Sequence, residues 1–200
     1  MSILDPLFVS FRDIITQPFI NQLKKTSLTP NNVTCIGLVM AFLAGVCIGF
    51  GFLFAGGLFT VLSGLCDMLD GAMARNMGRV TVFGAILDST LDRFEEAVIF
   101  IGILLFYAQG RVISGTLVTG FAWLASLLVS YIRARAEGSG LQCKVGIFTR
   151  AERIIVLSLG LLLSPFYHTL IPALIIIAGL GFFTAGQRLV NVMKAADRID

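Results

Sequence analysis

Four aspartates stand close together in a chain that is otherwise rich in apolar residues. Asp67 and Asp70 are three residues apart, and Asp88 and Asp92 are four residues apart. If both segments are helical, each pair lies on one face of its helix, because residues at these spacings are neighbours on a helix surface. Two helices would then direct two carboxylates each at a common point, where they could bind metal or transfer protons.

The composition places these aspartates in a membrane protein. The 200 residues are 56% hydrophobic and 14% charged, and the mean hydropathy is +0.90. Because charged residues usually make up about a quarter of a soluble domain, the composition excludes a water-soluble globular protein. The four cysteines contain no C-x-x-C pair and are typical of buried small residues rather than of a zinc site.

Six apolar segments are long enough to cross a bilayer, which requires about 20 residues of helix. They predict spans over about 32–54, 56–77, 82–108, 112–137, 149–164 and 169–194. Residues 1–26 show instead the spacing of an amphipathic helix that lies at the membrane interface. We therefore expect an all-α integral membrane protein with six transmembrane helices and an N-terminal amphipathic interfacial helix. Its two parts would be an interfacial juxtamembrane helix, 1–26, and a six-helix transmembrane domain, 27–200.

The charged residues lie at one end of the expected bundle. Every basic residue except Arg111 falls on the face that carries the two termini, and all acidic residues fall there too. By the positive-inside rule this face is cytoplasmic. We expect a multi-pass protein of the cell (plasma) membrane, with the site and both termini facing the cytoplasm.

The aspartates need a partner, because a carboxylate within a membrane span is costly unless it is paired, hydrated or bound to metal. Ion pairs with Arg75, Arg79 and Arg93 would offset single charges, but four facing carboxylates carry too much negative charge for that explanation. Mg²⁺ prefers carboxylate and water oxygens, usually together with a substrate phosphate. We expect two Mg²⁺ ions here, with Mn²⁺ as an alternative.

The aspartates belong to a longer pattern, D-x-x-D-G-x-x-A-R-x8-G-x-x-x-D-x-x-x-D, which the chain fits at every fixed position from Asp67 to Asp92. This pattern resembles the signature of the CDP-alcohol phosphotransferase family. The resemblance implies an enzyme that transfers a lipid phosphoryl group from a CDP-linked lipid to an alcohol and releases CMP. It also implies that the metal ligands are Asp67, Asp70, Asp88 and Asp92.

The resemblance assigns further roles within the same segment. Asp92 would also be the general base, which suits the chemistry because a hydroxyl is a poor nucleophile until a carboxylate takes its proton. The contacts to the cytidine diphosphate of the lipid would come from Asn31, Thr34, Gly71, Arg75 and Thr81. Two alternatives stay open: Asn31 and Thr34 could simply cap the first span, and Gly71 could be a helix-packing glycine.

A second, basic group of residues indicates the acceptor. Arg133, Arg150, Arg153 and Arg188 come to the cytoplasmic ends of the last three spans. Positive-inside bias accounts for some of them, but converging guanidinium groups also suit a phosphate, which they bind by paired hydrogen bonds. We therefore expect a soluble acceptor that already carries a phosphate.

The residues around these arginines resemble the phosphatidylinositol phosphate synthase branch of the family and the archaeal enzymes of the equivalent ether lipid. The resemblance implies inositol phosphate as acceptor, held by the four arginines, and a homodimer. The chain departs from the bacterial pattern at Arg133, Thr149 and Ala151, where those enzymes carry lysine, glutamate and commonly proline. Glycerol phosphate therefore stays open as the alternative acceptor.

Two other classes of protein fit less well. An aspartate-rich membrane prenyltransferase also binds a lipid diphosphate through Mg²⁺, but six spans and the D-G-x-x-A-R pattern are not typical of it. A transporter would need polar residues across the membrane, whereas here every carboxylate lies toward one face. The expected partners are thus a CDP-linked lipid, a phosphorylated alcohol and the bilayer, with no nucleic acid.

Overall fold

The computed structural model describes residues 29–78, 81–143 and 145–197, and these residues form an all-helical bundle. Its helices are α1 (Pro30–Gly49), α2 (Leu53–Asn76), α3 (Val82–Gln109), α4 (Ile113–Gly138), α5 (Arg150–Tyr167) and α6 (Leu170–Ala196). The all-α fold predicted from the sequence is confirmed. The interfacial helix predicted over 1–26 lies outside the described residues.

Three of the helices, α1, α3 and α5, begin with a side-chain cap at the charged end of the bundle, and that of α5 is described with the candidate site. The Thr29 hydroxyl accepts a hydrogen bond of 3.3 Å from the Asn32 amide and so caps α1. The Thr81 hydroxyl accepts one of 2.9 Å from the Gly84 amide and caps α3. Because Thr29 caps α1, neither Asn31 nor Thr34 is needed for that role.

The first two helices meet in a tight turn. The sequence predicts that the first span runs to residue 54, but α1 ends at Gly49 and α2 begins at Leu53. Gly51 has a φ of +88°, a left-handed conformation that favours glycine because it has no Cβ. The turn therefore starts α2 three residues earlier than the apolar pattern indicates.

The six helices pack as a closed ring in the order α1, α3, α4, α6, α5, α2. Two glycines let α1 and α3 approach closely: a Cβ on Gly102 would lie 2.4 Å from the Gly45 carbonyl oxygen. By contrast, α2 and α3 touch only slightly across the ring. At the charged end they are separated by side chains, and the candidate site lies in this gap.

Apolar residues fill the bundle and also cover its outside. Phe100, Ile103 and Leu161 are buried in the core, whereas Phe50, Ile113 and many other large apolar side chains are exposed. Four helices, α1, α2, α4 and α6, are long and apolar enough to cross a membrane. In α3 and α5 charged residues interrupt the apolar stretch at one end. The chain is therefore a membrane protein whose outer face suits lipid rather than water.

Candidate active site

Carboxylates from two helices meet at the charged end of the ring. Asp67 comes from α2, and Asp92 and Glu95 come from α3. One oxygen of each lies within 4.8 Å of an oxygen of the other two. We call these three residues the acidic cluster. The structure thus brings together two of the four predicted aspartates and adds a glutamate.

Among the residues that the structure describes, Arg150 is the cation paired with the acidic cluster. It is the first residue of α5, which begins at a reciprocal cap in which the Thr149 amide donates to Oε2 of Glu152 at 2.8 Å. Its guanidinium contacts all three carboxylates at distances of 2.6 Å to Asp67, 2.6 Å to Asp92 and 3.1 Å to Glu95. A third helix therefore supplies positive charge to carboxylates of the other two.

The other two predicted aspartates lie outside the acidic cluster. Asp70, on α2, is buried, and the Thr34 side chain of α1 interacts with its carboxylate. Asp88, on α3, is half-buried and lines a neighbouring cavity together with Asp92. The four aspartates therefore occupy different environments, with Asp70 on the α1 side and Asp88 on the side of the cavity.

The oxygens of these residues fit a hard divalent cation. Oδ1 of Asp67, Oδ2 of Asp70 and Oε1 of Glu95 are buried and accept no hydrogen bond among the described residues. Such oxygens are rare in proteins unless an ion or water satisfies them. Mg²⁺ and Mn²⁺ prefer a donor set made only of oxygen, and this set meets that requirement.

A glycine of α1 makes room for the acidic cluster. A Cβ on Gly37 would lie 3.0 Å from Oε1 of Glu95 and 3.4 Å from Oδ1 of Asp67. Both are among the cluster oxygens that accept no hydrogen bond from the described residues. An added Cβ at this position would press on the Glu95 carboxylate and touch that of Asp67.

Of the five residues predicted to contact cytidine diphosphate, Thr34 lies beside Asp70, and the other four lie in two small groups near the helix ends. Asn31 and Thr81 form the first, next to Gly84: a Cβ on Gly84 would lie 2.9 Å from Oγ1 of Thr81 and 3.7 Å from Oδ1 of Asn31. Arg75 and Gly71 form the second, in which the exposed guanidinium folds back so that its Nη1 would lie 3.4 Å from a Cβ on Gly71. Both glycines therefore leave space beside a polar side chain.

A cavity of about 350 Å³ adjoins the acidic cluster. Helices α3, α4, α5 and α6 all contribute to it, and all four predicted arginines line its wall, namely Arg133, Arg150, Arg153 and Arg188. Asp88 and Asp92 line it as well. We call it the arginine cavity. The four arginines thus come from three helices to one cavity, and that they bind the phosphate of the acceptor stays a prediction.

Each arginine already has a partner within the protein. Arg188 is buried and donates to the carbonyl oxygens of Val145 at 2.9 Å and Val129 at 2.5 Å. Arg153 pairs with Glu96 on α3 at 3.1 Å. Arg133 makes an exposed pair of 2.8 Å with Glu137. Arg153 and Arg188 are thus held rigidly, whereas Arg133 lies at an open edge.

Glu95 and Glu96 were missed as site residues by the sequence-based reasoning. Glu95 follows Asp92 by three residues and Asp88 by seven, and Glu96 follows Asp92 by four. These spacings place both glutamates on the same side of α3 as the aspartates. That periodicity was the signal available in the sequence, and it extends the acidic face of α3 toward the core.

Comparison with known proteins decides the family of this site. A sequence model described as CDP-alcohol phosphatidyltransferase matches residues 27–185. The chain belongs to the CDP-alcohol phosphatidyltransferase family. The acidic cluster and the arginine cavity are therefore parts of a membrane-bound transferase.

Relatives within this CDP-alcohol phosphatidyltransferase family match almost end to end. The archaetidylinositol phosphate synthase of Methanothermobacter thermautotrophicus is 40% identical over 187 residues, covering 92% of this chain and 93% of the relative. The crystal structure of Mycobacterium tuberculosis phosphatidylinositol phosphate synthase with bound CDP-DAG has a TM-score of 0.84 at 36% identity, covering 93% and 97% of the two chains. The same enzyme in complex with manganese and citrate has a TM-score of 0.82 at 35% identity, covering 92% of each chain.

Proposed function

We propose that this transferase moves the phosphatidyl or archaetidyl group of a CDP-linked lipid to inositol phosphate and releases CMP. The observation that carries the proposal is the direct contact between two sites of opposite charge. The acidic cluster, which suits a metal ion and through it a diphosphate, shares Asp92 with the arginine cavity, which suits a phosphate. Arg150 lines that cavity and pairs with all three carboxylates of the cluster. The acceptor hydroxyl and the lipid diphosphate can therefore meet at Asp92.

The metal ions are proposed to bind at Asp67, Asp70, Asp88 and Asp92, with Glu95 beside them. When bound, Mg²⁺ or Mn²⁺ polarises the diphosphate and makes CMP a better leaving group. Asn31, Thr34, Gly71, Arg75 and Thr81 are proposed to hold the cytidine diphosphate. Apart from charge neutralisation, the protein thus contributes mainly by positioning, which supplies much of the catalysis of phosphoryl transfer.

Asp92 is proposed to act as general base. It takes the proton of the acceptor hydroxyl, the oxygen attacks the phosphorus of the lipid-linked phosphate, and the bond to CMP breaks. Its side chain is 21% exposed and lines the arginine cavity, so a hydroxyl of a bound acceptor can reach it. A carboxylate in hydrogen-bond reach of the hydroxyl is the geometry that this role requires.

The four arginines are proposed to hold the phosphate of the acceptor. Arg133 and Arg188 reach the cavity from α4 and α6, and Arg150 and Arg153 reach it from α5. Guanidinium groups bind phosphate in a fork-like geometry that lysine cannot reproduce. Because the phosphate is bound away from the hydroxyl, its position fixes which part of the acceptor faces Asp92.

The CDP-linked lipid is proposed to keep its chains in the bilayer while its head group enters the site from the side. In this arrangement all six helices span the membrane, with residues 1–26 at the interface as a separate segment and residues 27–200 as the transmembrane domain. The charged end of the bundle faces the cytoplasm of a cell (plasma) membrane, in line with the positive-inside rule. A homodimer is the proposed oligomeric state, which light scattering of the purified protein in detergent would test.

A competition experiment tests the acceptor. The purified protein is supplied with CDP-diacylglycerol or CDP-archaeol, Mg²⁺, and equal amounts of inositol phosphate and glycerol phosphate. We expect CMP release and a lipid product carrying phosphoinositol, identified by mass spectrometry. A product that contains only glycerophosphate would contradict inositol phosphate as acceptor, and no CMP release with either acceptor would contradict the transferase activity itself.

A further inference from the structure

Arg153 is held on two sides by residues that have no assigned part in the chemistry. Its Nε lies 3.1 Å from Oε1 of Glu96, and its Nη2 lies 3.4 Å from Oγ of Ser130. Glu96 belongs to α3 and Ser130 to α4, so two neighbouring helices grip an arginine of α5. Arg153 is 2% exposed and Glu96 is 8% exposed. This is therefore a buried ion pair, which differs from the exposed pair of Arg133.

One edge of the Arg153 guanidinium is left without a partner. Its Nη1 is buried and makes no hydrogen bond among the described residues. Buried donors are normally satisfied, by protein, water or ligand. Arg153, Glu96 and Ser130 all line the arginine cavity. The Arg153 side chain and both of its partners thus stand at the wall of the space that would receive an anion.

We infer that Glu96 and Ser130 are positioning residues, which fix the Arg153 guanidinium at the wall of the arginine cavity so that it binds the phosphate of the acceptor. The inference rests on the proposed function and adds two residues that set the affinity for the acceptor. A guanidinium already held in place loses less conformational freedom when the phosphate binds. The negative charge of Glu96 by itself would weaken binding of the acceptor, since a carboxylate in the wall of an anion site repels the anion.

The opposite signs of these two effects make the inference testable. Glu96→Ala removes the contact to Nε, whereas Glu96→Gln keeps an oxygen that can accept from it. Ser130→Ala removes the contact to Nη2. The matched control is Glu137→Ala, which removes a negative charge from the same cavity together with the exposed partner of Arg133, and leaves the contacts of Arg153 in place. For each variant, KM is measured for inositol phosphate, for glycerol phosphate and for the CDP-linked lipid.

We expect Glu96→Ala to raise the KM of the acceptor about tenfold, with the KM of the CDP-linked lipid unchanged, because only the acceptor phosphate meets Arg153. Glu96→Gln stays within about threefold of the wild type, and Ser130→Ala raises the acceptor KM about threefold, since a weaker neutral contact is lost. Glu137→Ala lowers the acceptor KM. Positioning of Arg153 is supported if Glu96→Gln keeps the acceptor KM near that of the wild type, while Glu96→Ala raises this KM and Glu137→Ala lowers it.

Three results would overturn the inference while the wild type still turns over. The first is a lower acceptor KM in Glu96→Ala. The second is an equal rise in the KM of the acceptor and of the CDP-linked lipid in Glu96→Ala, together with a lower melting temperature. The third is an unchanged acceptor KM in every variant. If Glu96→Ala does not fold, Ser130→Ala decides, and an unchanged acceptor KM there overturns the inference. A wild type that uses neither acceptor overturns the proposed function and this inference together.

Discussion

Arg150 reaches from α5 to Asp67 on α2, and its Nη1 lies 2.6 Å from Oδ2 of that aspartate. The same atom lies 2.6 Å from Oδ1 of Asp92, so one guanidinium bridges α2 and α3 where these helices are apart. Arg150 also lines the arginine cavity. A divalent cation at the acidic cluster would compete with this guanidinium for the same carboxylates. The proposed binding of the metal ion and that of the acceptor phosphate therefore both involve Arg150.

The first prediction concerns the stability that Arg150 provides. Arg150→Gln is expected to destabilise the metal-free protein by about 3 kcal/mol, because partly buried carboxylates lose their cation. Added Mn²⁺ should recover most of that loss, since it neutralises the same oxygens. Thermal melting in EDTA and in Mn²⁺ measures both effects. The matched control is Arg111→Gln, an exposed arginine outside the site, and equal melting temperatures for the two variants in EDTA would contradict the prediction.

The second prediction concerns the base. Asp92→Asn is expected to lower the rate of CMP release at least about a hundredfold, because an amide cannot take the proton of the acceptor hydroxyl. Release of CMP from the CDP-linked lipid with inositol phosphate and Mg²⁺ is the measurement. The same change at Asp197, which is exposed at the end of α6, should leave the rate unchanged. Undiminished turnover in Asp92→Asn would rule out Asp92 as the base.

The third prediction concerns Glu95, which the family pattern does not include. Glu95→Gln keeps the shape of the side chain and removes one negative charge next to Asp67 and Asp92. We expect the Kd for Mn²⁺ to rise about tenfold, as is typical when a group that supports metal ligands is altered. Electron paramagnetic resonance of free Mn²⁺ measures this without any turnover. Glu137→Gln, outside the acidic cluster, is the control, and equal Kd values in both variants would show that Glu95 has no part in metal binding.

The fourth prediction concerns the space beside the acidic cluster. Gly37→Ala places a Cβ 3.0 Å from Oε1 of Glu95 and 3.2 Å from Cβ of Cys66. Because a displacement of about 1 Å can cost a hundredfold in rate, we expect CMP release to fall at least about tenfold. Gly120→Ala is the control, since nothing lies within 4 Å of a Cβ there, and alanine favours a helix over glycine by about 1 kcal/mol. Equal rates in the two variants would show that Gly37 is not needed for the site geometry.

Most of the fold could be predicted from the sequence, because each helix has its own local signals. Apolar stretches of sufficient length and the charged residues at their ends locate the six helices to within a few residues. The error at the first turn has a local cause, since Gly51 adopts a left-handed conformation that an apolar count does not detect. Residues 1–26 and their predicted interfacial helix stay a prediction.

The candidate site could be predicted only in part. Helical spacing indicates that Asp88 and Asp92 share a face, but it does not tell which other helices meet that face. The contact of Arg150 with Asp67, Asp92 and Glu95 depends on the packing of α5 against α2. Sequence-based reasoning therefore grouped Arg150 only with the other arginines, whereas in the structure it serves both sites.

The sequence by itself determined the chemistry that this protein can perform, since residue types and their spacing along single helices are local properties. Carboxylates at helical spacing, arginines at the ends of apolar spans and the D-G-x-x-A-R pattern are all visible without a structure. Only the tertiary structure decided which of these groups contact one another across different helices. The closed ring of helices brings Glu96 and Ser130 to Arg153 and Gly37 to Glu95, because contacts between distant segments depend on how apolar faces pack rather than on any one segment.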